Sequence, residues 1–162
     1  MITFLGLGSN VDDRLLNLNQ AIEIISIDEN IDLLSVSSFY ESPPMYDISL
    51  DSFLNGVVKV DTSYSPTELL DKMKKIERMM GRKKSKQRYS NRPIDIDILC
   101  CGSTIVETAE LVVPHPHIKE RKFVLKPWSD IDSDYIIANE NRKIKELLDL
   151  TSDSSKLKKI YT

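Results

Sequence analysis

Asp95 and Asp97 stand two residues apart in the run Pro93-Ile94-Asp95-Ile96-Asp97-Ile98-Leu99-Cys100. Alternation of this kind predicts a strand with its isoleucines facing a core. Side chains two apart on a strand leave the same face, so the two carboxylates share one surface with Cβ atoms roughly 6.6 Å apart. At an effective dielectric near 20, carboxylates about 6 Å apart repel by roughly 2.8 kcal/mol, against roughly 0.7 kcal/mol in water. Either the strand is a solvated edge, where the cost is small, or a positive partner neutralises the pair. Mg²⁺ suits such a pair, because it takes one or two carboxylates and completes its shell with waters and substrate phosphates.

Just before this strand, residues 78–92 carry seven bases (Arg78, Arg82, Lys83, Lys84, Lys86, Arg88 and Arg92) and no acid. Beyond Gly81 the stretch has no apolar periodicity. It reads either as a solvated charge run or as a cationic loop able to close over a polyphosphate. The two histidines, His115 and His117, lie in an extended piece with Lys119 and Arg121 nearby. With no third ligand in view, zinc is not supported, and hydrogen bonding or phosphate contact is the better use. Gly6 and Gly8 begin a dinucleotide-like fingerprint, but Val11 stands where its third glycine belongs, and no phosphate-loop motif occurs. These glycines are expected to make a tight turn into the first helix, with Ser9 or Asn10 as its cap. The adjacent Cys100 and Cys101 are read as small apolar fillers rather than as a disulfide or metal site.

The elements that must position these groups fit a single domain over residues 1–162, with 151–162 expected as a frayed tail or linker. A hydrophobic content of 41% is enough for a core without metal or disulfide staples. Residues 2–7 read as a strand, and Leu15, Leu18, Ile22 and Ile25 recur at helical spacing. A β-rich stretch from Leu33 to Tyr40 breaks at Ser42-Pro43-Pro44, and irregular chain follows to Leu50. From Phe53 to Val60 alternation puts Phe53, Asn55, Val57 and Lys59 on one face and Leu54, Gly56, Val58 and Val60 on the other. Ser65-Pro66-Thr67-Glu68 starts a helix with a capping box and a proline in its first turn, and Gly81 stops it. The order β-α-β-β-α-β is that of a ferredoxin-like α+β fold, a mainly antiparallel sheet with its helices on one face. A short hairpin over 104–113 and helices around 121–125 and 141–150 complete it.

With 25 acids against 22 bases the net charge is −3, so any basic patch is local and neither nucleic acid nor an anionic membrane is expected as a partner. No apolar run approaches the length of a membrane helix, and the first residues lack the basic segment of a secretory signal. A cytosolic, monomeric protein is expected.

Five segments occur together: Gly6-Leu7-Gly8-Ser9-Asn10, Ser37-Ser38-Phe39-Tyr40-Glu41-Ser42-Pro43-Pro44, Phe53-Leu54-Asn55, Asn91-Arg92-Pro93-Ile94-Asp95-Ile96-Asp97 and Val113-Pro114-His115. In order and spacing they resemble the 6-hydroxymethyl-7,8-dihydropterin pyrophosphokinases of folate biosynthesis, from Met1 to about Leu150. The resemblance implies transfer of the β,γ-diphosphoryl group of ATP to the hydroxymethyl oxygen of the pterin, with release of AMP and help from two Mg²⁺ ions. It implies that Asp95 and Asp97 hold the metals and that Arg82 and Arg92 serve catalysis, Arg92 by binding phosphate. Glu77, Lys84, Arg88, Ile98, His115 and Arg121 would join Arg92 in the ATP site, with Arg82, Lys84 and Arg88 in a closing loop. For the pterin it implies Phe53 and Phe123 on the two ring faces, Asn55 at the hydrogen-bonding edge, and Tyr89 and the segment Ser42, Pro43, Pro44 and Met45 around it. From the residues alone, simple core packing is the favoured reading of Phe53 and Phe123.

The chain departs from the family pattern at Tyr89, Glu110, Val112 and Pro116, where tryptophan, arginine, threonine and tyrosine are common; Phe53 and Lys84 are milder changes. A weaker or differently arranged ATP site is expected from the lost cation at Glu110. The family also occurs fused to other folate enzymes, so the native protein is either free or part of a fusion. An RNA-binding module shares the β-α-β-β-α-β order, but its aromatic signature is absent here, and bare Asp95 and Asp97 would repel phosphate.

Overall fold

The apolar run over residues 2–7 makes the strand around which the molecule is built, buried along most of both faces. In the computed structural model, which describes residues 1–45, 49–82 and 90–160, β1 (Ile2–Ser9) sits between β4 (Phe53–Thr62) and β5 (Asp95–Cys101). Two strands, β2 (Ile31–Val36) and β3 (Phe39–Ser42), share the other edge of β4, and a final strand, β8 (Lys158–Ile160), pairs with β3. The main sheet therefore runs β5-β1-β4-β3-β8 with β2 also on β4, and every pairing is antiparallel. The first four strand positions keep the ferredoxin-like order expected from sequence. A separate two-stranded sheet joins β6 (Val106–Glu107) to β7 (Val112–Val113).

The stretch predicted as one strand from Leu33 to Tyr40 is two. Between them the Ser37 hydroxyl accepts the Val57 N–H at 2.9 Å, so a side chain replaces a ladder carbonyl and the strand bends. The bend seats the Phe39 ring over Gly56, where an added Cβ would come within 2.7 Å of the ring. Gly6 and Gly8 are not turn residues either; both lie inside β1, and the cap of the first helix is Asp13, whose side chain accepts from Leu16 N.

Helices α1 (Arg14–Ser26) and α2 (Pro66–Met79) cover one face of the sheet. Leu18, Ala21 and Ile25 of α1 and Leu69, Met73 and Ile76 of α2 pack there on Leu5, Leu7, Val58, Val60 and the isoleucines 94, 96 and 98. The expected capping box at Ser65 and Glu68 is present. The expectation of helices on one face holds only for this pair. Helices α3 (Lys122–Asp132) and α4 (Ile144–Leu150) lie on the opposite face, where Val124, Leu125, Trp128, Ile144 and Leu147 build a second core on Phe4, Val57, Leu99 and Cys100. The register of β5 against β1 shifts at this point, so Leu99 and Cys100 both reach the second core while Cys101 returns to the first. The second layer covers only the end of the face that holds Phe4, Val57 and Leu99, and it leaves the other end open. The tail over 151–160 is not frayed but crosses from α4 to β3 and ends in β8.

Cys100 and Cys101 are fully buried, and burial pushes the Cys100 thiol up to about 12 and that of Cys101 upward. Since the thiolate is the nucleophile, the native protein should resist iodoacetamide at pH 8 and take up two equivalents only when unfolded in guanidinium. Rapid labelling of the native protein, followed by mass spectrometry, would contradict this packing.

Candidate active site

The open end of the second face is a cleft of about 410 Å³, within the range of small-molecule sites. Its floor is β1, β4 and β5. Gly6 and Gly8 keep that floor low: a Cβ on Gly8 would sit 3.3 Å from Asn55 Oδ1 and 3.7 Å from the Phe53 ring, and one on Gly6 would sit 3.3 Å from Leu99. Of the residues singled out from sequence, Ser42, Pro43, Pro44, Met45, Phe53, Asn55, Arg82, Arg92, Asp95, Asp97, His115, Arg121 and Phe123 all line this one cleft. Lys84, Arg88 and Tyr89 lie outside the described residues. Glu77 and Ile98 do not line it. The Ile98 side chain points into the core beneath α1 and α2, leaving only its backbone toward the cleft side of the strand. Of the departures, Glu110, Val112 and Pro116 are exposed and lie off the cleft lining.

The cleft has an apolar end and a charged end. At the apolar end Phe53, Phe123 and Pro44 surround Asn55, whose Nδ2 donates to Ser42 Oγ at 2.9 Å and to Tyr40 O at 3.5 Å. Those bonds fix the amide, so Oδ1 is the edge that faces Gly8 and the cleft. An immobilised amide in a cleft that two aromatic side chains also line can recognise a flat heterocycle by its edge and its faces.

At the charged end arginines flank both carboxylates. Arg82 Nη1 donates to Asp95 Oδ1 and also to Glu77 Oε1, and Arg92 Nη1 meets Asp95 Oδ2 at 3.0 Å. Arg121 Nη1 lies 3.3 Å from Asp97 Oδ2, and His115 Nε2 lies 3.9 Å from the same oxygen. Burial, the Asp95 charge and that of Glu77 outweigh Arg121 and push the Asp97 carboxyl up to about 6. The group is set deep in the cleft yet 41% exposed through its mouth. Burial, Arg121 and His117 bring His115 down to about 4, so the imidazole is neutral at pH 7. Its Nδ1 accepts the His117 N–H at 3.1 Å, and its Nε2, 3.4 Å from Arg121 Nη1 and 3.9 Å from Asp97 Oδ2, faces the cleft. Burial raises Glu77, only 2% exposed; its Oε1 accepts the Ile96 N–H at 2.8 Å and so ties α2 to the strand that carries both aspartates.

Three contributors escaped the sequence reading. Asn10, taken there as a helix cap, accepts the Arg92 N–H through Oδ1 at 2.7 Å and donates to Asn91 Oδ1 at 2.7 Å, which fixes the approach to Arg92. Lys74 and Glu120 also line the cleft. Lys74 stands three residues before Glu77 on α2, a helical spacing that would have placed both at one end.

The donor set fits Mg²⁺. Asp95 and Asp97 offer hard oxygens on one face, and among the described residues no group of three or more His, Cys, Asp or Glu side chains could hold a metal alone. That leaves room for the waters and phosphate oxygens that Mg²⁺ prefers. Arg121 Nε is buried and finds no hydrogen-bond partner among the described residues, a donor suited to an anion.

A family model described as 7,8-dihydro-6-hydroxymethylpterin-pyrophosphokinase matches residues 4–133. The 2-amino-4-hydroxy-6-hydroxymethyldihydropteridine pyrophosphokinase of Haemophilus influenzae is 35% identical over 159 residues, 98% of either chain. The folate synthesis bifunctional protein of Arabidopsis thaliana is 39% identical over 140 residues, 83% of this chain but 29% of that longer one. Among solved structures, wild-type Plasmodium falciparum HPPK-DHPS shares the fold with a TM-score of 0.71 at 16% identity, over 91% of this chain and 42% of its own. No described helix is long and apolar enough to cross a membrane. With the match spanning most of the chain and the cleft gathering its motifs, this protein belongs to the 7,8-dihydro-6-hydroxymethylpterin pyrophosphokinase family.

Proposed function

We propose that the chain transfers the β,γ-diphosphoryl group of ATP to the hydroxymethyl oxygen of 6-hydroxymethyl-7,8-dihydropterin. The hydroxymethyl oxygen bonds to the β-phosphorus and gives up its proton to solvent, the bond from that phosphorus to the α,β-bridging oxygen breaks, and AMP leaves with the oxygen. The observation that carries this reading is a single cleft whose apolar end holds Phe53, Asn55 and Phe123 and whose charged end holds Asp95, Asp97, Arg82, Arg92 and Arg121. An RNA-binding module has no need of such a pocket, and the family membership removes that reading.

In this reading Phe53 and Phe123 hold the two faces of the pterin, Asn55 reads its edge, and Ser42, Pro43, Pro44, Met45 and Tyr89 enclose it. Arg82, Arg92 and Arg121 neutralise phosphate oxygens, with Lys84 and Arg88 adding charge, and His115 faces them through Nε2. Glu77 and the backbone at Ile98 belong to the nucleotide side. Two Mg²⁺ ions held by Asp95 and Asp97 would supply charge neutralisation across the triphosphate and polarise the transferred group. Arg82 and Arg92 occupy both oxygens of Asp95, so they shift from carboxylate to phosphate as the site fills. Positioning and charge neutralisation suffice for this class of transfer, and no general base is assigned. A monomer in the cytosol, where ATP is plentiful, suits this reaction.

The test is AMP release from ATP and Mg²⁺ with and without the pterin: AMP that depends on the pterin is the expected result, and none from a folded protein overturns the reading. Asn55→Ala should raise KM for the pterin about 10- to 100-fold with little change in KM for ATP, since losing a buried hydrogen bond costs about 1–3 kcal/mol. An unchanged pterin KM would remove Asn55 from recognition.

A further inference from the structure

The segment that follows α4 touches both rims of the cleft. On one side β8 pairs with β3, placing Ile160, Lys159 and Lys158 opposite Phe39, Tyr40 and Glu41. The next residues of that rim are Ser42 to Met45, which wall the apolar end. On the other side Asp153 Oδ2 accepts the N–H of Lys122, the first residue of α3, at 2.9 Å, and Oδ1 accepts the Ser155 N–H at 2.9 Å. Thr151 Oγ1 donates to Lys119 O at 2.8 Å, and Lys122 Nζ donates to Ser155 O at 3.2 Å.

The first turn of α3 depends on this help. Arg121, at its N-cap position, makes no side-chain capping bond, so the carboxylate that satisfies a free N–H at the positive end of the helix comes from 31 residues along the chain. Burial raises the Asp153 carboxyl, but the Ser155 and Lys122 hydrogen bonds outweigh it and hold the group below the usual carboxylate range. The residues on either side of Lys122 are Arg121, 3.3 Å from Asp97, and Phe123, whose ring lies under the Arg121 guanidinium at 5.8 Å. Both line the cleft.

We propose that Asp153 is a positioning residue for this cleft: by capping α3 from the C-terminal segment it sets Arg121 and Phe123 against the rim that β8 holds through β3. Thr151, Asp153, Ser155 and β8 lie beyond the span 4–133 matched by the family model. The kinetic part of the test rests on the proposed diphosphoryl transfer, and the structural part does not.

The full chain is compared with Asp153→Ala, Asp153→Asn and Leu147→Ala, the last a destabilising control in the second core, all assayed well below their melting temperatures. Amide hydrogen exchange over residues 121–125 should quicken about tenfold in Asp153→Ala and less in Asp153→Asn, whose single amide oxygen can accept the Lys122 N–H but not the Ser155 N–H as well. KM for ATP and pterin should rise about five- to tenfold in Asp153→Ala with kcat within about threefold, and recover in part in Asp153→Asn, which keeps one of the two acceptors. Leu147→Ala should lower the melting temperature and leave both KM values alone. Unchanged exchange at 121–125, unchanged KM values, an asparagine variant as impaired as alanine, or an equal KM rise in Leu147→Ala would each overturn the proposal. If the wild-type chain releases no pterin-dependent AMP, the function reading fails and the exchange result alone decides Asp153. Should Asp153→Ala not fold, Asp153→Glu, whose carboxylate sits one methylene farther out, takes its place under the same readouts.

Discussion

Replacing Asp95 or Asp97 with alanine should abolish turnover while the fold survives. Both carboxylates stand on the same face of β5 at the charged end of the cleft, and both would hold the cations that neutralise the triphosphate. Loss of that neutralisation is worth several kcal/mol in the transition state; at 1.36 kcal/mol per factor of ten, the expected fall in kcat is on the order of 10³-fold or more. The effect on stability is small for Asp95, whose ion pairs are partly exposed and contribute about 1 kcal/mol at most. For Asp97 the sign favours the variant. Its folded carboxyl titrates at about 6, above the ordinary 3.8, so the native state holds its proton more tightly than the unfolded chain does. Native stability therefore falls as pH rises from about 4 to 6. Asp97→Asn, which carries no titrating proton, should melt no lower than wild type at pH 7 and lose that advantage at pH 3. Rates within tenfold of wild type in either alanine variant, measured as AMP release at saturating Mg²⁺, would sink the assignment.

The largest stability effect should come from Trp128→Ala. Trp128 is fully buried on α3, with ring centroids 4.6 Å from Phe4 and 5.8 Å from Tyr135, and Phe4 itself lies 4.7 Å from Tyr135. This aromatic cluster bonds the second helical layer to the sheet. Truncating a buried tryptophan to alanine costs about 3–5 kcal/mol, and at roughly 2–4 °C per kcal/mol for a domain of this size the melting temperature should fall by roughly 6–20 °C. Trp128→Phe should cost far less. The indole Nε1 has no hydrogen-bond partner among the described residues, so phenylalanine leaves no polar group behind. Calorimetry that finds phenylalanine as damaging as alanine would mean that something other than ring packing holds α3 down.

The sequence made the first five large elements legible because each keeps its periodicity intact, as in the strict alternation of β5 and the capped stripe of α2. The second helical layer was harder to read. Pro127 signals a helix stop, yet α3 continues through it to Asp132, because Pro127 and Trp128 are both buried in the second core. β8 has a single apolar residue, Ile160, and a strand that owes its existence to an edge on β3 leaves little local trace. Gly6 and Gly8 were misread for a related reason. Glycine announces freedom of the backbone, whereas here its use is the missing Cβ beneath Asn55, Phe53 and Leu99. Spacing alone paired Asp95 with Asp97, but it could not find that Asn10 and Arg92, 82 residues apart, lock to each other.

One half of the second face carries helices and the other half does not, and that difference links the two properties of the molecule. The cleft is an unfinished core. Were α3 to begin a turn or two earlier, its side chains would close over Phe53 and Asn55, and the product would be a sturdier, inert sandwich. In the proposed complex a flat ring between Phe53 and Phe123 would supply the layer that the chain leaves out, so ligand affinity and the last increment of folding stability would be two measures of the same uncovered surface.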